Sequence, residues 1–152
     1  MQIAGHILRL AKEQFVKAEN IFIDVIGIGA GIVDRLIEQS WRVNGNAVSE
    51  RAKDQEHYLN LRAELYVDKL KEWIKTASLT DDDDWYELAN IKYKFNSKGQ
   101  IQLESKEDMK KRGLPSPDVA DALVLTFADS KLITYDFKPS TPVLPYYPEL
   151  NI

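Results

Sequence analysis

Residues 21–36 read IFIDVIGIGAGIVDRL, and the fold turns on how this stretch is understood. Ile21, Phe22, Ile23, Val25 and Ile26 form a short β-branched and aromatic run of the length expected for a strand buried on both faces. Asp24 interrupts that run, and a carboxylate there is costly unless it is paired, protonated or holding a cation. Gly27, Gly29 and Gly31 punctuate the exit, and residues 30–39 predict a helix. A charge on a central strand beside a glycine turn is a site-like arrangement. What else in the chain can meet Asp24 there decides the function.

Working outward, Ile3, Ile7, Leu10, Ala11 and Phe15 recur at three- and four-residue steps, which predicts an amphipathic helix before the strand. After the second helix, Trp41, Val43, Ala47 and Val48 alternate loosely around the turn signal Asn44-Gly45, which predicts a weak strand. Helix, strand, helix, strand is the grammar of a parallel α/β layer. A long helix is expected over residues 57–75, and Arg62 and Glu64 within it suit a buried ion pair linking helix to sheet. Residues 81–84 are four aspartates, readable as a cation site or as a solvated loop before a helical turn.

Tyr93 and Phe95 alternate with lysines, residues 97–99 supply a turn, and Ile101 and Leu103 alternate with glutamines, which predicts a β-hairpin. A charged helical turn over residues 106–112 ends at Gly113. Ser116 as N-cap and Pro117 in the first helical position then open a helix running to about residue 129. Residues 138–152 hold four prolines and form an extended tail.

With 152 residues and 44% hydrophobic content, the chain can bury one core, so a single domain is expected. It has no apolar run long enough to span a membrane and no cysteine, which excludes disulfides and thiolate metal sites. The net charge of −4 argues against a broad, non-specific grip on nucleic acid but leaves room for a local basic patch. His6 and His57 lack a histidine or cysteine partner in sequence, so zinc is not expected. The GIGAG glycines miss the G-x-G-x-x-G spacing of dinucleotide folds, and neither a P-loop nor a G-x-S-x-G motif is present.

Three carboxylates carry the chemical reading. Asp118 and Asp121, three apart on the first turn of a helix, face the same way and gain from the helix dipole. If that helix packs on the strand of Asp24, three hard oxygen donors converge, a set suited to magnesium or manganese. The alternative is that Asp118 only caps its helix and Asp121 is exposed. Lys106, Lys110, Lys111 and Arg112 cluster just before Asp118, and Lys92, Lys94 and Lys98 decorate the hairpin; they suit phosphate contacts, or a solvated face.

Taken together, IFIDVIGIGAGIVDRL, YLNLRAELY, IQLESKEDMKKRG and SPDVADALVLTFA resemble, in order, the nuclease domain of the phage terminase large subunit, the DNA-packaging motor protein. The resemblance implies an α/β, ribonuclease H-like fold with a central sheet flanked by helices and a hairpin. It implies acidic residues matching Asp24, Asp118 and Asp121 that bind two divalent metals, Mg2+ or Mn2+, and cut double-stranded DNA. Family members carry an ATPase domain upstream and open the nuclease domain with strands, one of which supplies a further aspartate. This chain starts at the helix after them, so residues 1–137 are expected to be a partial, truncated nuclease domain, weakly active or inactive alone. An unpaired edge along the first strand would invite a second copy. The resemblance further implies the host-cell cytoplasm, with portal and small terminase subunit as partners, the tail being a candidate portal contact. The rival expectation is a non-catalytic, prophage-derived module that binds portal or terminase partners.

Overall fold

A computed structural model of the chain describes residues 2–132. Helix α1 (Gln2–Glu13) buries Ala4, Leu8 and Ala11. That face is rotated by about one residue from the expected stripe: Ile3 and Leu10 are largely exposed, and Phe15 is 93% exposed. The helix stops at Glu13, and Phe15 takes a left-handed φ of 54°, which swings its ring off the helix face. A single 3-10 turn (Ala18–Asn20) then feeds strand β1 (Phe22–Asp24).

β1 pairs in parallel with β2 (Asn44–Asn46), Ile23 opposite Gly45, and α2 (Ile28–Glu38) connects them. The connection depends on Gly29: a Cβ there would stand 1.7 Å from the carbonyl oxygen of Asp24, so only glycine lets α2 lie this close to the strand. Ala4, Leu8, Val33, Leu36 and Val43 seal the α1–α2 side of the small sheet. Each fully buried leucine or valine contributes about 1.5–3 kcal/mol. Two expectations are corrected. β1 is half-buried rather than enclosed on both faces, because among the described residues no strand pairs with its outer edge. The Asn44-Gly45 turn signal is itself strand, with all three residues of β2 buried.

The second layer is helical. Asn60 caps α3 (Leu61–Glu64) by accepting from the Ala63 amide at 3.0 Å. The helix therefore starts four residues later than the pattern suggests. It runs through a π-helical segment (Leu65–Leu70) into α4 (Lys71–Trp73). Leu61, Leu65, Tyr66 and Leu70 pack against Ala120, Val124 and Ala128. A 3-10 turn (Asp83–Tyr86) leads into α5 (Glu87–Asn90). In the acidic run, Asp82 accepts from the Asp84 amide at 3.0 Å and opens that turn.

The hairpin of β3 (Tyr93–Phe95) and β4 (Ile101–Leu103) is antiparallel as expected, with Tyr93 opposite Leu103 and Phe95 opposite Ile101. Asn96 and Gly99 (φ 78°) shape its turn. Helix α6 (Lys106–Lys111) is followed by α7 (Asp118–Leu125), which ends about four residues before the expected limit. The proline-rich tail expected over residues 138–152 lies outside the described residues.

Candidate functional site

β1 ends on Asp24 and α7 begins on Asp118, and the two ends meet at one cavity of about 510 Å³. Its polar lining consists of Asp24, Arg62, Lys106, Asp118 and Asp121. α7 is set there by its N-terminus. Glu87, from α5, accepts from the amides of Val119 and Ala120 at 2.8 and 2.9 Å, so the free donors of the first turn are satisfied by a carboxylate from another element. Ser116 does not cap the helix, and Pro117 stands one residue before it. The Ser116 hydroxyl instead donates to Asp118 Oδ1 at 2.6 Å.

Asp121 is held on three sides. Its Oδ1 accepts from Arg62 Nε at 2.9 Å and from the Tyr66 hydroxyl at 2.8 Å, while Lys106 Nζ approaches Oδ2 at 3.0 Å. Lys106 Nζ also lies 3.3 Å from Asp118 Oδ1, so one ammonium bridges the two carboxylates. Burial works against that charge, but the hydrogen bonds and negative charges of Asp121 and Asp118 together outweigh it and raise the Lys106 pKa above its ordinary value. The Ser116 hydroxyl, helped by Lys106, holds the Asp118 carboxyl below its ordinary value. Burial first, and the Asp121 charge second, push the Tyr66 phenol far above 10, so it acts as a permanent donor. The Arg62 guanidinium stacks 5.2 Å from the Tyr66 ring centroid. Its Nη2 is buried and has no hydrogen-bond partner among the described residues.

Asp24 is different. Its Oδ1 accepts only from the Ile26 amide, at 3.2 Å, and no cationic side chain pairs with it among the described residues. It lines the cavity with Asp118 and Asp121, yet among the described residues no three acidic or imidazole groups close into a metal-binding cluster. The residues nonetheless fit a hard cation. The Lys106 ammonium already stands between Asp118 and Asp121 as an internal counter-ion, in an oxygen-lined position where positive charge is favoured.

Of the basic cluster, Lys106 alone reaches this cavity. Lys111 pairs with Asp108 at 2.8 Å. Arg112 pairs with Glu104 and donates to the Asn90 carbonyl at 3.2 Å, which ties the base of the hairpin to α5. Lys110 is exposed, without a side-chain partner among the described residues. Arg62 and Glu64 do not pair with each other: Arg62 turns to Asp121, and buried Glu64 accepts from the Lys53 amide at 2.7 Å. Sequence reasoning missed Tyr66, Ser116 and Glu87. The i, i+4 spacing of Arg62 and Tyr66 is a signal that both reach one partner.

No family model matches the chain, and no curated protein does. Solved structures do. The nuclease domain of the large terminase subunit gp2 of bacterial virus Sf6 superposes with a TM-score of 0.63 at 24% identity, over 83% of this chain and 71% of that one. A lysine-to-alanine mutant of that domain, with manganese and β-thujaplicinol, gives 0.66 at 24% identity, over 84% of this chain and 72% of that one. A mutant solved with calcium gives 0.61 at 24% identity, over 83% and 71%. The chain therefore has the fold of a terminase nuclease domain, and its mixed architecture of helices and small sheets agrees with the ribonuclease H-like fold expected from the sequence.

Proposed function

We propose that the chain is a metal-dependent DNA nuclease module of a phage DNA-packaging terminase, with Asp24, Asp118 and Asp121 as its metal ligands. The observation that carries this reading is the shared cavity: a strand-end carboxylate faces a helix-end pair, and the cation between that pair is a lysine. The fold, and the manganese and calcium named with the neighbouring structures, support a divalent ion here. When bound, such an ion would polarise a phosphodiester and lower the pKa of an attacking water.

The chain's own residues do the rest. Arg62 and Tyr66 fix Asp121 through Oδ1, so only Oδ2 turns towards the incoming cation. Lys106 holds the carboxylate pair in place before loading, and it must swing aside for a dication to enter. Once displaced, its ammonium is a donor for a DNA phosphate. Lys110, Lys111 and Arg112 are proposed as outer phosphate contacts, Lys111 and Arg112 only after leaving their present ion pairs. Portal and small-subunit contacts, and the host cytoplasm as the place of action, belong to the same reading.

Calorimetric titration with Mn2+ tests it. One saturable site is expected in the wild type, weakened at least tenfold by Asp121→Asn, together with slow Mn2+-dependent nicking of supercoiled plasmid. Absence of any carboxylate-dependent site would overturn it. A second reading, an interaction module without catalysis, is favoured by one observation: Lys106 and Arg62 satisfy Asp121 with no metal at all. That reading predicts heat of Mn2+ binding no greater in the wild type than in Asp121→Asn. Light scattering tests the accompanying proposal that a second copy pairs along the open edge of β1, which requires a dimer at high concentration.

A further inference from the structure

The β3–β4 hairpin shows a face that the carboxylate cavity does not use. Tyr93 and Phe95 are 58% and 65% exposed although both are large and aromatic. Opposite residues share a face of an antiparallel pair, so these rings stand with Leu103 and Ile101, which are only half-exposed. The two rings meet edge to face, centroids 6.1 Å apart and planes at 87°. The fold buries neither ring, so each leaves π surface open to a partner.

Positive charge lies on the ribbon's other face, where Lys92 and Lys94 alternate with the rings, and at its turn, where Lys98 stands. Most lysines of the described chain are in ion pairs. Lys92, Lys94, Lys98 and Lys110, in the hairpin and the helix after it, have no side-chain hydrogen bond or ion pair among the described residues. Lys12 and Lys71 are the other described lysines without an ion pair, so four of the six lie in the hairpin and the helix after it. The hairpin is also continuous with the cavity. Arg62 Nη1 donates to the Glu104 carbonyl at 3.4 Å at the end of β4, and Lys106 lies two residues further on. From that base, the ribbon reaches about 17 Å outward to its turn, at about 3.4 Å per residue.

We propose that this ribbon binds single-stranded DNA along the edge of β3 that no described strand pairs with, unpaired bases stacking on Tyr93 and Phe95 on one face and phosphates reached by the long side chains of Lys92 and Lys94 from the other face and by Lys98 at the turn. A duplex hides its base faces inside its own stack, so an exposed ring selects a strand with unpaired bases. The inference rests on the nuclease reading only for why such a strand lies beside the cavity; the binding itself needs no metal.

The test is fluorescence anisotropy with the full chain in EDTA, using labelled oligo(dT) of twenty nucleotides and a duplex of equal length. Expected is a preference for the single strand, weakened tenfold or more in Tyr93→Ala/Phe95→Ala. Tyr93→Leu/Phe95→Leu, which keeps apolar bulk and strand propensity but removes the π faces, shows the same loss. In Lys94→Gln/Lys98→Gln, the slope of log Kd against log salt falls by about 1.4, two phosphate contacts on a single strand. Equal affinity of wild type and the leucine variant, or a duplex preference insensitive to it, overturns the proposal. Nicking without aromatic-dependent binding would spare the cavity and sink the ribbon; aromatic-dependent binding without nicking would do the opposite.

Discussion

The two walls of the cavity treat their carboxylates in opposite ways. On the strand wall, Asp24 has one backbone amide for company and no counter-charge among the described residues. On the helix wall, Asp118 and Asp121 are bound by a hydroxyl, a phenol, a guanidinium and a shared ammonium. The strand wall is set by backbone: β1 fixes where Asp24 stands, and Gly29 fixes how near α2 comes. The helix wall is set by side-chain electrostatics. For the proposed metal site, this contrast means one rigid carboxylate and one pair whose charge is already compensated, so that loading a cation would mean exchange on one side and simple approach on the other.

Substitutions can break that contrast. The largest effect belongs to the strand wall. Gly29→Ala forces a methyl group into the Asp24 carbonyl, and either α2 or β1 must move; a loss of at least about 3 kcal/mol, or failure to fold, is expected in thermal denaturation. Next comes the helix wall. Arg62 and Asp121 are 13% and 21% exposed, between a surface and a buried pair, so Arg62→Ala should cost about 2 kcal/mol in urea unfolding. Asp24→Asn, by contrast, removes no ion pair and should change stability by no more than about 0.5 kcal/mol. Equal losses from these two variants would erase the distinction.

The smallest effect is a matter of pH. Asp118 has its pKa depressed, so its contribution to stability is present above the ordinary value of 3.8 and is lost as pH falls through the lowered, folded value. Ser116→Ala should move the Asp118 titration upward towards 3.8, as read by carboxyl 13C shifts. It should narrow its stability deficit against the wild type as the solution is acidified below that point. An unmoved titration would assign the depression to Lys106 instead.

How much of this was legible in the chain follows from where each signal resides. The hairpin and the approach of Asp118 and Asp121 to one cation could be read locally, because alternation and helical spacing are short-range properties. β2 falls within the weak strand expected from Trp41 to Val48, but its centre reads locally as a turn. Its sequence Asn-Gly-Asn has no apolar side chain, and what makes it strand is remote. Asn44 Nδ2 donates to the Glu19 carbonyl at 2.6 Å, the Ser130 hydroxyl donates to Asn44 Oδ1 at 2.8 Å, and Asn46 Nδ2 donates to the Asp129 carbonyl at 3.1 Å. The capping of α7 by Glu87 was hidden for the same reason, since a residue about thirty positions upstream stands where Ser116 was expected. Phe15 failed for a different cause. Periodicity names a face but not the residue at which a helix stops.

Those amides of β2 also impose an order on folding. The middle of the molecule's parallel pair is closed by Leu132, which bridges Asn44 from the far end of the described chain, and by the Gly45 amide donating to the Lys131 carbonyl at 3.2 Å. A ribosome delivering this polypeptide from its N-terminus therefore releases Asn44 and Asn46 long before the Ser130 hydroxyl that donates to the first and the Asp129 carbonyl that accepts from the second exist. Until residues near 130 emerge, the nascent N-terminal half holds polar groups that only water can satisfy, and the last turns to be synthesised are the ones that let the first strand settle.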